Sequence, residues 1–297
     1  MELDRRAVKL MAGGVVLILV VIMITSFAAK CAKLLVDGAD TRTYTRVNSA
    51  AELFQVVNDS LYRFEEVINV ETESHDKFME FWHQLDNEFA LHSAFRDPDV
   101  QLQYKDKDDC CKIRITMKLN ACGQAMRYLY MGKGKDYETA DAKYVGEKLK
   151  EISEEIIEDD MTEEEKVRAI HNYLISNYMY AVDGDVHYYT ECAVLFREGK
   201  AQCQAYSEAF VALCLLNGVE ARVISGQSTF GFGENAHAWC QVKVNSIWYH
   251  IDVTWDDPIP DVPNLVRYDF YLKGDFTMDW THDWASYFEE CITDYSA

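Results

Sequence analysis

Three residues in the second half of this 297-residue chain are of the types that nucleophilic chemistry requires: Cys203 in GKAQCQAYSEAF, His237 opening HAWCQVKV, and Asp252 in IWYHIDVT. A thiol, an imidazole and a carboxylate can serve as nucleophile, base and orienter. The spacing of Tyr206, Phe210, Leu213 and Leu216, closed by Asn217-Gly218, predicts a helix that begins at Cys203. A helix N-terminus presents unpaired N–H groups and a partial positive charge, which favours thiolate over thiol and supplies donors for an oxyanion.

Asn245-Ser246, between residues 237–244 and 247–254, reads as the two-residue loop of a hairpin. In the register that pairs Val244 with Ile247, Asp252 falls opposite Trp239, and His237 lies two residues along on the same face. That diagonal spans about 7 to 8 Å between Cβ atoms, which an imidazole and a carboxylate can close to a hydrogen bond. The other face, from Ala238 and Cys240 to Ile251 and Val253, is suited to a core, so the polar face is expected to meet the Cys203 helix. His250 shares the polar face and reads as a structural contact before a catalytic one. Residues 226–236 read as a loop, and Gly231-Phe232-Gly233 within it makes no nucleotide site, because no helix follows. Each of the three residues alone has a plain structural reading, as buried filler, strand histidine or edge charge. Their geometry taken together carries the chemical one.

The order GKAQCQAYSEAF, LLNGVEARVISG, HAWCQV and WYHIDVTWDDP closely resembles the transglutaminase-like superfamily of papain-type thiol enzymes, in particular bacterial membrane-anchored members. The resemblance runs from EKVRAIHNYLISNYMY at 165–180 to the end of the chain. It implies Cys203 as nucleophile, His237 as base and acid, and Asp252 as the residue holding the imidazole. Gln202 is then a candidate oxyanion donor and Trp239 a candidate for substrate contact, with Trp248, Trp255 and Tyr206 as further aromatics for an acyl tunnel. The implied reaction is attack of the Cys203 thiolate on a carboxamide or peptide, with the acyl-enzyme resolved by water or an amine. No metal and no cofactor is expected; Asp256-Asp257-Pro258 lacks the spacing of a calcium loop.

These residues require elements to hold them. The expected fold class is α+β: an N-terminal transmembrane helix, an α+β first lobe, then a core in which the nucleophile helix packs on an antiparallel sheet. Residues 10–29 carry no charge and are long enough for a bilayer, and Arg5, Arg6 and Lys9 precede them. The expected divisions are therefore a cytoplasmic tip and uncleaved signal anchor at 1–33, a stalk at 34–48, the first lobe at 49–133 and the transglutaminase-like domain at 134–297. This places a single-pass protein in the cell membrane with its catalytic domain extracytoplasmic. In the first lobe, Ser49 and Glu52 form a capping box before a helix, and a second helix carries Phe78, Phe81, Trp82, Leu85 and Phe89. Alternation at 100–104 and 111–119 predicts a hairpin. Further on, Thr162 and Glu165 form another capping box. His75, His83 and His92 lack metal-ligand spacing.

With 29 basic against 50 acidic residues the formal charge is −21, which repels phosphate backbones and removes nucleic acid from the partners. The remaining partners are a protein or peptide substrate and cell-envelope components. Nine cysteines leave at least one thiol unpaired or bonded to another molecule, and no Cys-x-x-Cys pair occurs among them. The competing reading is a non-catalytic extracytoplasmic module that keeps the fold and binds a protein or cell-envelope partner. The state of Cys203 separates the two, since a disulfide there would remove the nucleophile.

Overall fold

The computed structural model describes residues 42–87, 94–107, 109–134, 136–182, 190–229, 235–262 and 265–296. In chain order the first elements are β1 (Thr45–Arg46), α1 (Ala50–Tyr62), β2 (Val67–Thr72), α2 (His75–Asn87), β3 (Arg96–Lys107), β4 (Cys110–Leu119) and α3 (Ala121–Leu129). The strands form one sheet in the order β1-β2-β4-β3, with β3 and β4 paired as the expected hairpin. Alternation in β4 buries Cys111, Ile113, Ile115 and Met117 against Leu53, Phe54 and Val57 of α1 and Phe78 and Leu85 of α2. Ser49 caps α1 by accepting the Glu52 N–H, but the Glu52 carboxylate reaches back to the N–H of Asn48. Only half of that capping box forms.

The chain continues with α4 (Ala140–Ile156), α5 (Glu163–Asn177), β5 (Met179–Tyr180), α6 (Cys192–Glu198), β6 (Lys200–Ala201) and α7 (Cys203–Leu216). It ends with β7 (Ala221–Ser228), β8 (Asn235–Val244), β9 (Ile247–Ile251), α8 (Val253–Asp256), α9 (Asp275–Met278) and β10 (His282–Trp284). The capping box of α5 is complete, with Thr162 and Glu165 each satisfying the other's backbone. A second sheet, all antiparallel, has the order β10-β7-β8-β9. The helix α7 was expected to show one apolar face, yet it is buried on every side from Ala205 to Leu215. It is therefore the central rod of the core. The predicted loop from residue 226 is shorter than expected, since β7 runs through Ser228 and β8 starts at Asn235. Gly231-Phe232-Gly233, Phe89 and His92 lie outside the described residues.

The expected membrane helix at 10–29 also lies outside them, and among the described residues no helix is long and apolar enough to cross a membrane. The longest of these, α4, has 17 residues and interleaves buried Val145, Leu149 and Ile152 with lysines and glutamates. At 1.5 Å per residue it spans only about 26 Å, and its charged face has no place in hydrocarbon. The expectations of a transmembrane helix in the fold and of a single-pass membrane protein with an extracytoplasmic catalytic domain are corrected accordingly. The architecture is α+β, and everything that bears on the site lies in the compact unit Tyr44–Ala297.

Candidate active site

The approach to Cys203 is set by a two-strand clamp. The helix α6 ends on Gly199 at φ 72°, a left-handed position where glycine carries no Cβ penalty. The next residues form β6, which runs parallel to β5: the Met179 N–H donates to the Gly199 carbonyl at 3.0 Å and the Ala181 N–H to that of Ala201 at 2.8 Å. Gln202 takes the extended N-cap position and donates its side-chain amide to the Ala181 carbonyl at 3.3 Å. Cys203 then opens α7, as predicted. The first bond inside the helix is from the Tyr206 N–H to the Gln202 carbonyl, so the amides of the opening turn precede the ladder.

The structure brings Cys203, His237 and Asp252 into one hydrogen-bonded line. The Asn245-Ser246 loop has φ of 51° and 67°, and Val244 pairs with Ile247 in the expected register. Asp252 follows β9 directly and caps α8, where its Oδ1 accepts from the Thr254 N–H at 3.0 Å, the Thr254 hydroxyl at 2.6 Å and the Trp255 N–H at 3.1 Å. Its Oδ2 accepts from His237 Nε2 at 2.7 Å. This leaves Nδ1 of His237 for the Cys203 thiol, to which the imidazole is hydrogen-bonded. Burial alone would raise the Asp252 carboxyl, but its bonds to His237 and His282 hold it far below the ordinary range. Burial works against the His237 cation too, yet Asp252 and Cys203 raise that imidazole to about 10. Burial pushes the Cys203 thiol up; the His237 bond and charge, with the Ala238 N–H, bring it below its usual value. The three directions agree with a thiolate–imidazolium pair on a fixed carboxylate.

The expectation about faces is corrected. The helix α7 packs on the apolar side of the sheet, against Ala238, Cys240 and Val242, because a rod buried all round has no use for a polar surface. Cys203 meets His237 at the strand end instead. On the polar face Trp239 is fully buried, and its indole N–H donates to His250 Nδ1 at 3.0 Å. His250 Nε2 then donates to Asp275 at 2.9 Å. The Tyr206 hydroxyl goes to Asp257 at 3.0 Å, and Trp248 lies under Arg222. Of the four aromatics, Trp255 is partly exposed beside the line, its ring 5.4 Å from that of His237.

Two groupings among the described residues have metal-ligand composition: His237, Asp252 and His282, and His250, Asp275 and Cys291. In the second, the Trp239 N–H fixes Nδ1 of His250 as an acceptor, so Nε2 carries the proton and faces Asp275. A metal at Nε2 needs the opposite tautomer. In the first, both imidazoles direct Nε2 at an Asp252 carboxylate that already accepts five hydrogen bonds.

Two contacts were not visible in the sequence. The Tyr180 hydroxyl accepts the Cys203 backbone N–H and bonds the Cys203 sulfur, and burial keeps that phenol protonated, far above its usual value. His282, from β10, donates to Asp252 Oδ2 at 3.1 Å. Neither β5 nor β10 exceeds three residues, too few for any periodicity. The eight described cysteines are free thiols, and Cys203 is the one not fully buried.

Residues 150–253 match the family model described as the transglutaminase-like superfamily. Among curated proteins, the kyphoscoliosis peptidase of Homo sapiens is 29% identical over 125 residues, covering 38% of this chain and 19% of the relative. That of Mus musculus is 27% identical over the same length and shares. The chain thus matches about a fifth of the length of these relatives. Among solved structures, one described as a TGase is 15% identical, covers 64% of this chain and 51% of its own, and has a TM-score of 0.32. The chain carries a transglutaminase-like core within an α+β fold.

Proposed function

Starting from that core, we propose that Cys203, His237 and Asp252 are the catalytic triad of a thiol enzyme acting on a carboxamide or peptide carbonyl. The observation that carries this is the single line from Cys203 through His237 to Asp252, in which the thiol is lowered and the imidazole raised. The Cys203 thiolate attacks the carbonyl carbon, and the oxyanion is met by the opening amides of α7 and the Tyr180 hydroxyl. His237 delivers its Nδ1 proton to the departing amine as the C–N bond breaks, leaving a thioester on Cys203. Water or an amine then attacks the thioester, gives its proton to His237 and expels the Cys203 thiolate, which restores the starting pair. Asp252 holds the imidazole and its charge throughout. The match to a protein named a peptidase supports water as the first acceptor to assay.

The test is alkylation of Cys203 by iodoacetamide against pH, read by mass spectrometry on the full chain, wild type beside His237→Ala. Labelling that persists below about pH 7 and is lost in the variant is expected. Labelling confined to the free-thiol range near about pH 8.5 and equal in both proteins would sink the reading and favour a binding module. Tyr180→Phe separates the oxyanion role from thiol activation. It is expected to slow acyl-enzyme formation from an activated amide or ester by about tenfold or more while shifting the low-pH alkylation limb far less than His237→Ala does, since the hydroxyl also bonds the sulfur.

A further inference from the structure

We propose that His282 is a positioning residue of this site, a second imidazole that locks Asp252 in the orientation from which it holds His237. The proposal rests on the thiol-enzyme reading above and adds a member to its machinery from outside the segment that matches the family model, residues 150–253.

Asp252 Oδ2 accepts from two imidazoles at once, His237 Nε2 at 2.7 Å and His282 Nε2 at 3.1 Å. With three donors on Oδ1, the carboxylate is saturated beyond its roughly four lone-pair sites. It has no spare acceptor to turn towards. His282 itself is 1% exposed, and its ring is walled by Trp255 at 4.4 Å, Trp239 at 4.8 Å and Phe270 at 5.5 Å between centroids. The titratable groups facing it are Asp252, His237, whose ring is 5.5 Å away, and His250, whose imidazole its charge also lowers. Burial and the charge of His237 push His282 below its usual value against its bonds to Asp252 and the Met278 backbone, opposite in direction to His237. The Thr281 hydroxyl lies 2.9 Å from the other ring nitrogen.

The backbone is built for this approach. The strand β10 lies against β7, with His282 opposite Ser228 and Trp284 opposite Gly226, while Gly226 on its other side faces His237. A Cβ at Gly226 would sit 2.1 Å from the Asp283 carbonyl and 2.8 Å from the Trp239 ring. Only a glycine lets β10 and Trp239 close this tightly, and that closure brings His282 to Asp252.

The experiment compares full-length wild type, His282→Phe, His282→Gln and His237→Ala in the pH profile of Cys203 alkylation, with thermal unfolding of each. Phenylalanine fills the aromatic cage without a donor, and glutamine restores an N–H. The Phe variant is expected to label about tenfold more slowly below pH 7 and to shift its acid limb towards the free thiol, with the Gln variant within about threefold of wild type. A Phe variant that superimposes on wild type overturns the proposal. If the variants do not unfold cooperatively, ¹⁵N resonances of the wild-type imidazoles decide: a neutral His282 with its proton on Nε2 supports it, and a cation or a bare Nε2 refutes it. Wild type that fails to label at low pH, or that labels like His237→Ala, would refute the triad instead, a distinct outcome.

Discussion

Two histidines of one hairpin each meet a carboxylate and end in opposite charge states. His237 with Asp252 is raised to about 10 against its burial, and His250 with Asp275 is lowered, by burial first and by the charge of His282. Their imidazole-to-carboxylate distances are close, 2.7 and 2.9 Å, so distance does not separate them. What differs is the far nitrogen and the surroundings of the acid. His237 turns its second nitrogen to a thiol that can become an anion, whereas His250 accepts an indole N–H that a second proton would break. Asp252 is buried among five donors, while the Asp275 side chain is 35% exposed. The same residue pair thus gives an ion-pair partner in one place and a neutral strut in the other.

The comparison breaks most sharply at the acids. Asp252→Ala strands two buried imidazoles and the start of α8; it is expected to cost about 3–5 kcal/mol and to abolish low-pH labelling of Cys203. Asp275→Ala, at a half-exposed acid, is expected to cost about 1 kcal/mol and to leave labelling unchanged, both read by urea unfolding and alkylation. An effect between those two follows from Thr254→Val, which removes the 2.6 Å hydroxyl donor to Asp252. It should cost about 1.5–3 kcal/mol and slow labelling several-fold, and full-rate labelling would show that Asp252 does not depend on its cap.

The smallest effect is in the pH dependence of stability. A lowered imidazole binds fewer protons folded than unfolded, so the His250 contribution is present above about pH 6.5 and lost as pH falls. His250→Gln, which does not titrate, should lose less stability than wild type as pH falls below about 6.5. The raised His237 behaves in the opposite sense: its contribution is complete below about pH 6.5 and disappears as pH climbs through about 10. Denaturant midpoints measured across both windows would separate the two.

The sequence makes the helix-start cysteine and the hairpin register legible, because an NG-closed amphipathic run and a two-residue loop are local signals. His250 as a structural contact follows from the same alternation. The side of the sheet that meets α7 is not the polar side that the alternation suggests, because burial of α7 on all sides requires the apolar face. Tyr180 and His282 leave no local trace, as the strands that carry them are two and three residues long and owe their place to partners far along the chain. Trp239 reads as a substrate-facing aromatic only while its indole partner is unknown.

The position of β10 in the chain has a consequence for biosynthesis. About 80 residues separate Cys203 from His282, and Asp252 and His237 lie between them. At roughly 5–20 residues per second, Cys203 leaves the ribosome some seconds before the strand that completes its surroundings. Until then Cys203 is an ordinary thiol with no imidazole seated on a locked carboxylate. If Cys203 is the nucleophile proposed above, its activation waits until β10 has been made and has paired with β7.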